Sequence, residues 1–129
     1  MGSKEKLKQY VGPIPKEIEP YLDSKRPTTI IYSNPKGLAK NMLSYDQTIA
    51  LRIPKNPFLE ELLDAFGKAI ISTSANLSRF STPKKFNEVS QEILDGVDYI
   101  VPLMQEKVCG NPSRIIKLEN KNSITILRP

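Results

Sequence analysis

The stretch that most constrains the fold runs from Lys68 to Ser78 and reads KAIISTSANLS. Its apolar beginning, residues 69–71, is partly β-branched and predicts a strand. Small polar residues follow at once: Ser72, Thr73, Ser74 and Asn76. Ligands of open α/β sheets bind beyond the carboxyl ends of strands, so this strand end is a candidate binding site. The same residues are also typical of a simple turn or cap, and both interpretations are open at this point.

Strand-like and helix-like segments alternate along the chain. The run TTIIY at 28–32 predicts a strand, and Asn56–Gly67 predicts a helix with Asn56 as N-cap, Pro57 in the first turn and an apolar stripe in the core. The alternation predicts an α/β (α+β) fold, a mixed open sheet with flanking helices. The other predicted elements are strands at 48–54, 69–71, 99–103, 113–118 and 123–127, helices at 4–11 and 83–95, and a turn at 119–122 that makes the last two strands a hairpin.

The length of 129 residues suits one domain. Residues 1–24 are broken by Gly12, Pro13, Pro15 and Pro20 and are predicted to be a lead-in segment without a strong core element. The domain itself is predicted to occupy residues 25–129.

Composition narrows the classes of function. The net charge is +5, from 19 basic and 14 acidic residues, which favours an anionic partner such as a nucleotide, a phosphate or RNA. There is no histidine and one cysteine, so Cys–His catalysis, a histidine metal site and a disulfide framework are excluded, and no metal site is predicted. No apolar run is long enough to span a membrane, and a cytoplasmic setting is expected.

Thr48 and Arg52 lie four residues apart in the predicted strand TIALRIP. Strand alternation places both on its polar face, opposite Ile49 and Leu51. An arginine there is suited to binding a phosphate, but a solvated or ion-paired arginine explains the pattern equally well.

Four motifs together resemble the YrdC-like family, which includes the threonylcarbamoyl-AMP synthases of tRNA modification. They are TIALRIP at 48–54, STSANLS at 72–78, NPS at 111–113 and ILRP at 126–129. The resemblance covers residue 25 to the end. It implies a twisted open α/β sheet around a basic cavity. It also implies a reaction that joins ATP, bound with Mg, L-threonine and bicarbonate into threonylcarbamoyl-AMP and releases pyrophosphate.

The resemblance also assigns roles to single residues. It makes Ser74 and Asn76 half of a catalytic Lys–Arg–Ser–Asn tetrad. It makes six further residues contacts for ATP or threonine: Thr48, Arg52, Ser72, Thr82, Ser113 and Arg128.

Two departures from the family pattern affect this assignment. The family's first strand and its K-x-R motif have no match before Lys25, which implies a form without the N-terminal third and without the Lys–Arg half of the tetrad. Arg79 and Arg114 stand where the family usually has glycine and threonine, and both add positive charge near the expected cavity.

Three functions are therefore open. The first is a binding module for nucleotide, tRNA or double-stranded RNA with doubtful catalysis. The second is a threonylcarbamoyl-AMP synthase, a nucleotidyltransferase that is either active as it stands or split and completed by another chain. The third is a structural remnant. An incomplete sheet would also favour self-association.

Overall fold

A computed structural model describes residues 1–119 and 123–129, without the side chain of Lys40. The chain divides into two compact units, residues 1–70 with 112–129, and residues 71–111.

The first unit is built on a four-stranded mixed sheet in the order β2-β1-β3-β4. The strands are β1 (Thr28–Ser33), β2 (Thr48–Leu51), β3 (Arg114–Leu118) and β4 (Ile124–Arg128). β1 is antiparallel to β2 and parallel to β3, and β4 is antiparallel to β3. The predicted α/β fold with a mixed sheet is confirmed. The turn predicted at 119–122 lies largely outside the described residues.

Three helices belong to this unit: α1 (Lys4–Val11), α2 (Glu19–Asp23) and α3 (Pro57–Phe66). α3 begins and ends as predicted, because the Asn56 side chain accepts a hydrogen bond from the backbone N–H of Leu59 and Gly67 closes the helix at φ 75°. Short 3-10 turns occur at Lys16–Ile18 and Lys40–Met42.

The core lies between α1, α2 and one face of the sheet. Leu7 of α1, Ile18 and Leu22 pack against strand residues of β1 and β3, namely Ile30, Tyr32 and Ile116. The expectation that residues 1–24 lack a strong core element is therefore wrong. The prolines shorten the helices there, but they leave the apolar side chains free to pack on the sheet.

The stripe of α3 is less buried than predicted. Leu63 is buried, whereas Phe58, Leu62 and Phe66 are exposed, Phe66 by 56%. Periodicity identifies the apolar side of a helix, but among the described residues of the first unit no element fully covers this side.

The second unit contains a 3-10 turn at Phe86–Glu88 and α4 (Gln91–Asp95). The single helix predicted from Pro83 is thus interrupted, since Val89 and Ser90 have extended backbone angles. The predicted strands at 69–71 and 99–103 are not formed, and Ile71 and Tyr99 are 69% and 74% exposed. β-branched runs favour a strand only where a neighbouring strand pairs with them.

Candidate functional site

The two faces of the sheet differ in chemistry. Alternation along β1 places Ile30 and Tyr32 on the face that packs on the helices, which we call the core face. Thr29 and Ile31 project from the opposite side, which we call the second face. Strand register extends the second face to Thr48 of β2 and Lys117 of β3. It therefore combines hydroxyl groups and charges with a few aliphatic side chains.

A hydrogen-bonded cluster on the second face joins three neighbouring strands. The hydroxyls of Thr29 and Ser113, the residue before β3, lie 2.8 Å apart. Arg128 Nε donates to the carbonyl oxygen of Ser113 at 2.8 Å, and Arg128 Nη2 lies 3.4 Å from Ser113 Oγ. Ser113 and Arg128, two of the predicted site residues, are thus brought into contact.

A β-bulge explains why Arg128 belongs to this cluster. Ile126 pairs with Ile116, yet Arg128 pairs with Ile115, so one extra residue, Leu127, is accommodated in β4. Ile116 lies in the core and Ile115 on the second face, so the bulge moves Arg128 to the side of Ser113. Regular alternation would have placed Arg128 on the same face as Ile126.

Thr48 lies in a separate polar cluster on the second face. Thr48 is buried, and its hydroxyl donates to Asp46 Oδ1 at 2.7 Å. This bond, assisted by the charge of Lys117, lowers the pKa of the Asp46 carboxyl below its ordinary value. Lys117 Nζ lies 4.0 Å from Asp46 and 3.8 Å from Glu119. Thr48 is therefore already engaged with a carboxylate.

Arg52 follows the last residue of β2, and its side chain is exposed. Its backbone carbonyl accepts a hydrogen bond from the amino group of Met1 at 3.1 Å. Because β2 ends at Leu51, strand register does not define the face on which Arg52 lies. That Arg52 shares a face with Thr48 stays a prediction.

Four predicted site residues lie in the second unit: Ser72, Ser74, Asn76 and Thr82. Ser72, Ser74 and Thr82 are exposed. Asn76 Nδ2 donates to the carbonyl oxygens of Leu77 and Phe80 at 3.0 Å, while its Oδ1 is buried without a partner among the described residues. The amide thus stabilises a turn and retains one free acceptor. That these residues share one site with Ser113 and Arg128 stays a prediction.

The two arginines that depart from the family pattern, Arg79 and Arg114, differ in their surroundings. Arg79 adopts φ 73°, the left-handed conformation that favours the glycine expected at this position. Arg114 pairs with Thr28 and lies on the core face, where its guanidinium stacks over the Tyr21 ring at 5.1 Å. Arg114 therefore lies on the opposite face of the sheet from Ser113, because consecutive strand residues face opposite sides. That it adds charge near the expected cavity stays a prediction.

Sequence reasoning missed Thr29, Asp46 and Lys117. Strand alternation within TTIIY would have placed Thr29 opposite the buried Ile30. No local signal identifies the Asp46–Lys117 pair, since 71 positions separate its members along the chain.

A cleft of about 410 Å³ lies at the end of α1, apart from these clusters. Lys8, Gln9, Asn34 and Lys36 contribute polar side chains to its lining. In the described part of the chain, neither lysine forms an ion pair.

Two kinds of feature are absent from residues 1–119 and 123–129. No group of three or more His, Cys, Asp or Glu residues is arranged there to hold a metal ion. No helix in the same ranges combines the length and the hydropathy that a membrane span requires.

The mixed sheet and its flanking helices define an α/β domain, and comparisons with known proteins refine this class. The Sua5/YciO/YrdC family, described as telomere recombination, matches residues 1–129. The chain therefore belongs to the Sua5/YciO/YrdC family.

The threonylcarbamoyl-AMP synthase of Idiomarina loihiensis is 36% identical over 92 residues, which make up 70% of this chain and 48% of that protein. That of Pseudoalteromonas translucida is 32% identical over 106 residues, covering 79% and 55%. The chain thus spans about half the length of the curated relatives it matches. The crystal structure of E. coli YciO superimposes with a TM-score of 0.78 at 22% identity, over 99% of this chain and 62% of YciO, which supports the fold alone.

Proposed function

We propose that this chain is a nucleotide-binding domain that binds ATP through the second face of its sheet. The names of its relatives support ATP as the nucleotide, because a threonylcarbamoyl-AMP is an adenylate. L-threonine and bicarbonate are the further proposed substrates, and Mg would accompany ATP as its counterion. The proposed setting is the cytoplasm.

The orientation of Arg128 is the observation that carries this proposal. One edge of its guanidinium is held by Ser113, through Nε and more weakly through Nη2. Within the described residues, no carboxylate forms an ion pair with Arg128. A planar guanidinium that is fixed on one edge and has uncommitted N–H groups is suited to binding a phosphate.

We propose that catalysis by these 129 residues is weak. Adenylyl transfer depends on positioning and on cations that stabilise the charge of the transition state. By resemblance, Ser74 and Asn76 supply the uncharged half of the tetrad, and the free acceptor of Asn76 is compatible with orienting a substrate. The Lys–Arg half has no counterpart in these residues, so we expect ATP to bind but to be turned over slowly.

Isothermal titration calorimetry with Mg-ATP tests the binding proposal. We expect saturable binding by the wild type and about a tenfold loss of affinity in Arg128→Gln, the effect of losing one charge-assisted hydrogen bond. Arg128→Lys keeps the charge but loses the planar fork, so we expect an intermediate affinity.

Lys16→Gln is the matched control, since it removes one positive charge at an exposed position of the 3-10 turn. It should leave ATP affinity within about twofold, because Lys16 contacts no member of the Ser113–Arg128 cluster and salt screens exposed charges. Absence of ATP binding by the wild type, or an equal reduction in Lys16→Gln and Arg128→Gln, would refute the proposal.

A second candidate function, RNA binding, is favoured by the cleft at the end of α1. Lys8 and Lys36 line it and form no ion pair among the described residues, and the protein is cationic. Lysines of this kind bind RNA phosphates without reading the sequence. The lining of the cleft shares no residue with the Ser113–Arg128 cluster, so substitutions can test the two candidate functions separately.

A salt titration of binding to unmodified tRNA tests this candidate. Affinity should fall with salt. The double variant Lys8→Gln with Lys36→Gln should reduce the slope of log affinity against log salt by about 0.7–0.9 for each phosphate that is no longer neutralised. Lys16→Gln serves again as the control. An affinity that does not change with salt would contradict binding through phosphates.

A further inference from the structure

Ser113 is the central member of the cluster on the second face. Its hydroxyl lies 2.8 Å from Thr29 Oγ1 and 3.4 Å from Arg128 Nη2. Thr29 and Ser113 are both half-buried, so water competes only in part for these bonds. Two strands therefore fix the position of this hydroxyl, and a guanidinium lies next to it.

The direction of the Thr29–Ser113 bond decides what Ser113 offers to a ligand. A guanidinium only donates, so Arg128 uses one acceptor site of Ser113 Oγ, and a hydroxyl has two such sites and one proton. If Ser113 donates to Thr29, the hydrogen-bonding site that remains free on Ser113 Oγ is a lone pair, which repels an anion. If Thr29 donates to Ser113, both acceptor sites are filled and the Ser113 proton is free.

We infer that Thr29 is a positioning residue for the anionic group of the ligand that Arg128 binds. Thr29 donates its proton to Ser113, and the Ser113 hydroxyl then donates to a phosphate oxygen held by Arg128. No covalent step is involved, because the ligand only selects one direction of an existing hydrogen bond. This inference rests on the proposed binding of ATP and names the group of ATP that the cluster recognises.

The β-bulge at Leu127 is the second element of this arrangement. It places the Arg128 guanidinium on the side of Ser113, so that the cation and the oriented hydroxyl serve the same ligand group. Bulges commonly redirect a side chain next to a site in this way.

Calorimetric titration of Thr29 variants with Mg-ATP and with adenosine tests the inference. Thr29→Val keeps the shape and removes the hydroxyl, and we expect it to lower ATP affinity by about tenfold or more, the effect of one hydrogen bond to a charged group. Thr29→Ser keeps the hydroxyl and should restore affinity to within about twofold of the wild type. Adenosine has no phosphate, so its affinity should be equal in all three proteins.

Ser90→Ala is the control for removal of a hydroxyl outside the second face, because Ser90 is exposed and its side chain makes no capping hydrogen bond to α4. It should bind ATP like the wild type. If Thr29→Val fails to fold, Thr29→Ala provides the same comparison with Thr29→Ser.

The two proposals fail in different ways. If the wild type does not bind ATP, the proposed function is refuted and the inference with it. If the wild type binds ATP and Arg128→Gln does not, while Thr29→Val binds as tightly as Thr29→Ser, only the inference is refuted. A Thr29→Val protein that loses adenosine and ATP affinity alike would assign Thr29 a purely structural role, which also refutes the inference.

Discussion

The hydroxyl of Tyr32 shows how a single residue departs from the usual rules of burial. Tyr32 lies in the core of the first unit, is 3% exposed, and its Oη has no hydrogen-bond partner among the described residues. A buried polar group without a partner costs about 1–3 kcal/mol. The aromatic ring contributes to the core, whereas the hydroxyl opposes folding.

Removal of this hydroxyl should therefore not destabilise the protein. We expect the free energy of unfolding of Tyr32→Phe at pH 7 to be unchanged or raised by about 1 kcal/mol. Urea unfolding monitored by circular dichroism measures the difference, with Tyr45→Phe at a fully exposed ring as the control. A decrease of more than about 1 kcal/mol would mean that the hydroxyl has a stabilising partner.

The same residue affects stability at alkaline pH. Burial raises the pKa of Tyr32, so the folded protein keeps the phenolic proton at a pH where the unfolded chain, with an ordinary pKa of about 10, has lost it. Ionisation thus favours the unfolded state, and stability falls as the pH rises above about 10. Tyr32→Phe should show a shallower fall between about pH 10 and 11 than the wild type, and equal slopes would contradict this.

Elements with complete local signals were predictable from the sequence. Helix α3 has an N-cap, a proline in the first turn and a glycine at its end, and each feature acts within a few residues. β1, β3 and β4 were predicted for the same reason, since β-branched runs bounded by polar residues mark strands.

Elements that depend on distant partners were not predictable in this way. The runs at 69–71 and 99–103 have strand composition, yet whether a run becomes a strand depends on what pairs with it. The bulge at Leu127 is another example. One extra residue reverses the direction of Arg128, and no local pattern in ILRP indicates it.

Part of the geometry around the candidate site residues could be anticipated from the sequence, whereas their roles stay predictions. Resemblance named Ser113 and Arg128, and these two residues are in contact. It named Thr48 as well, which is engaged with Asp46 on the same sheet face. It did not name Thr29, because a supporting hydroxyl is recognised by the atom that it touches rather than by a motif.

At the scale of the whole molecule, the chain matches only part of the length of its relatives, and this limits the chemistry that we expect from it. The chain spans about half the length of the threonylcarbamoyl-AMP synthases it matches. The part it has in common with YciO includes the complete four-stranded sheet and its core. The sheet that carries the proposed binding surface is therefore present, whereas the Lys–Arg half of the tetrad that the resemblance implies has no match among these residues.

Pyrophosphate release by the 129-residue protein should consequently be slow. With ATP, L-threonine, bicarbonate and Mg, we expect a rate at least about 100-fold below that of the Idiomarina loihiensis relative, since loss of one group that stabilises transition-state charge typically costs that factor. A coupled phosphate assay on both proteins, with inorganic pyrophosphatase present, measures the ratio. Comparable rates would show that other residues replace the Lys–Arg half of the tetrad. In that case, a lower rate in Asn76→Ala would show that the activity depends on the second unit. A slow rate together with tight ATP binding would support the proposal that the sheet recognises the nucleotide and that its transfer depends on the Lys–Arg half of the tetrad.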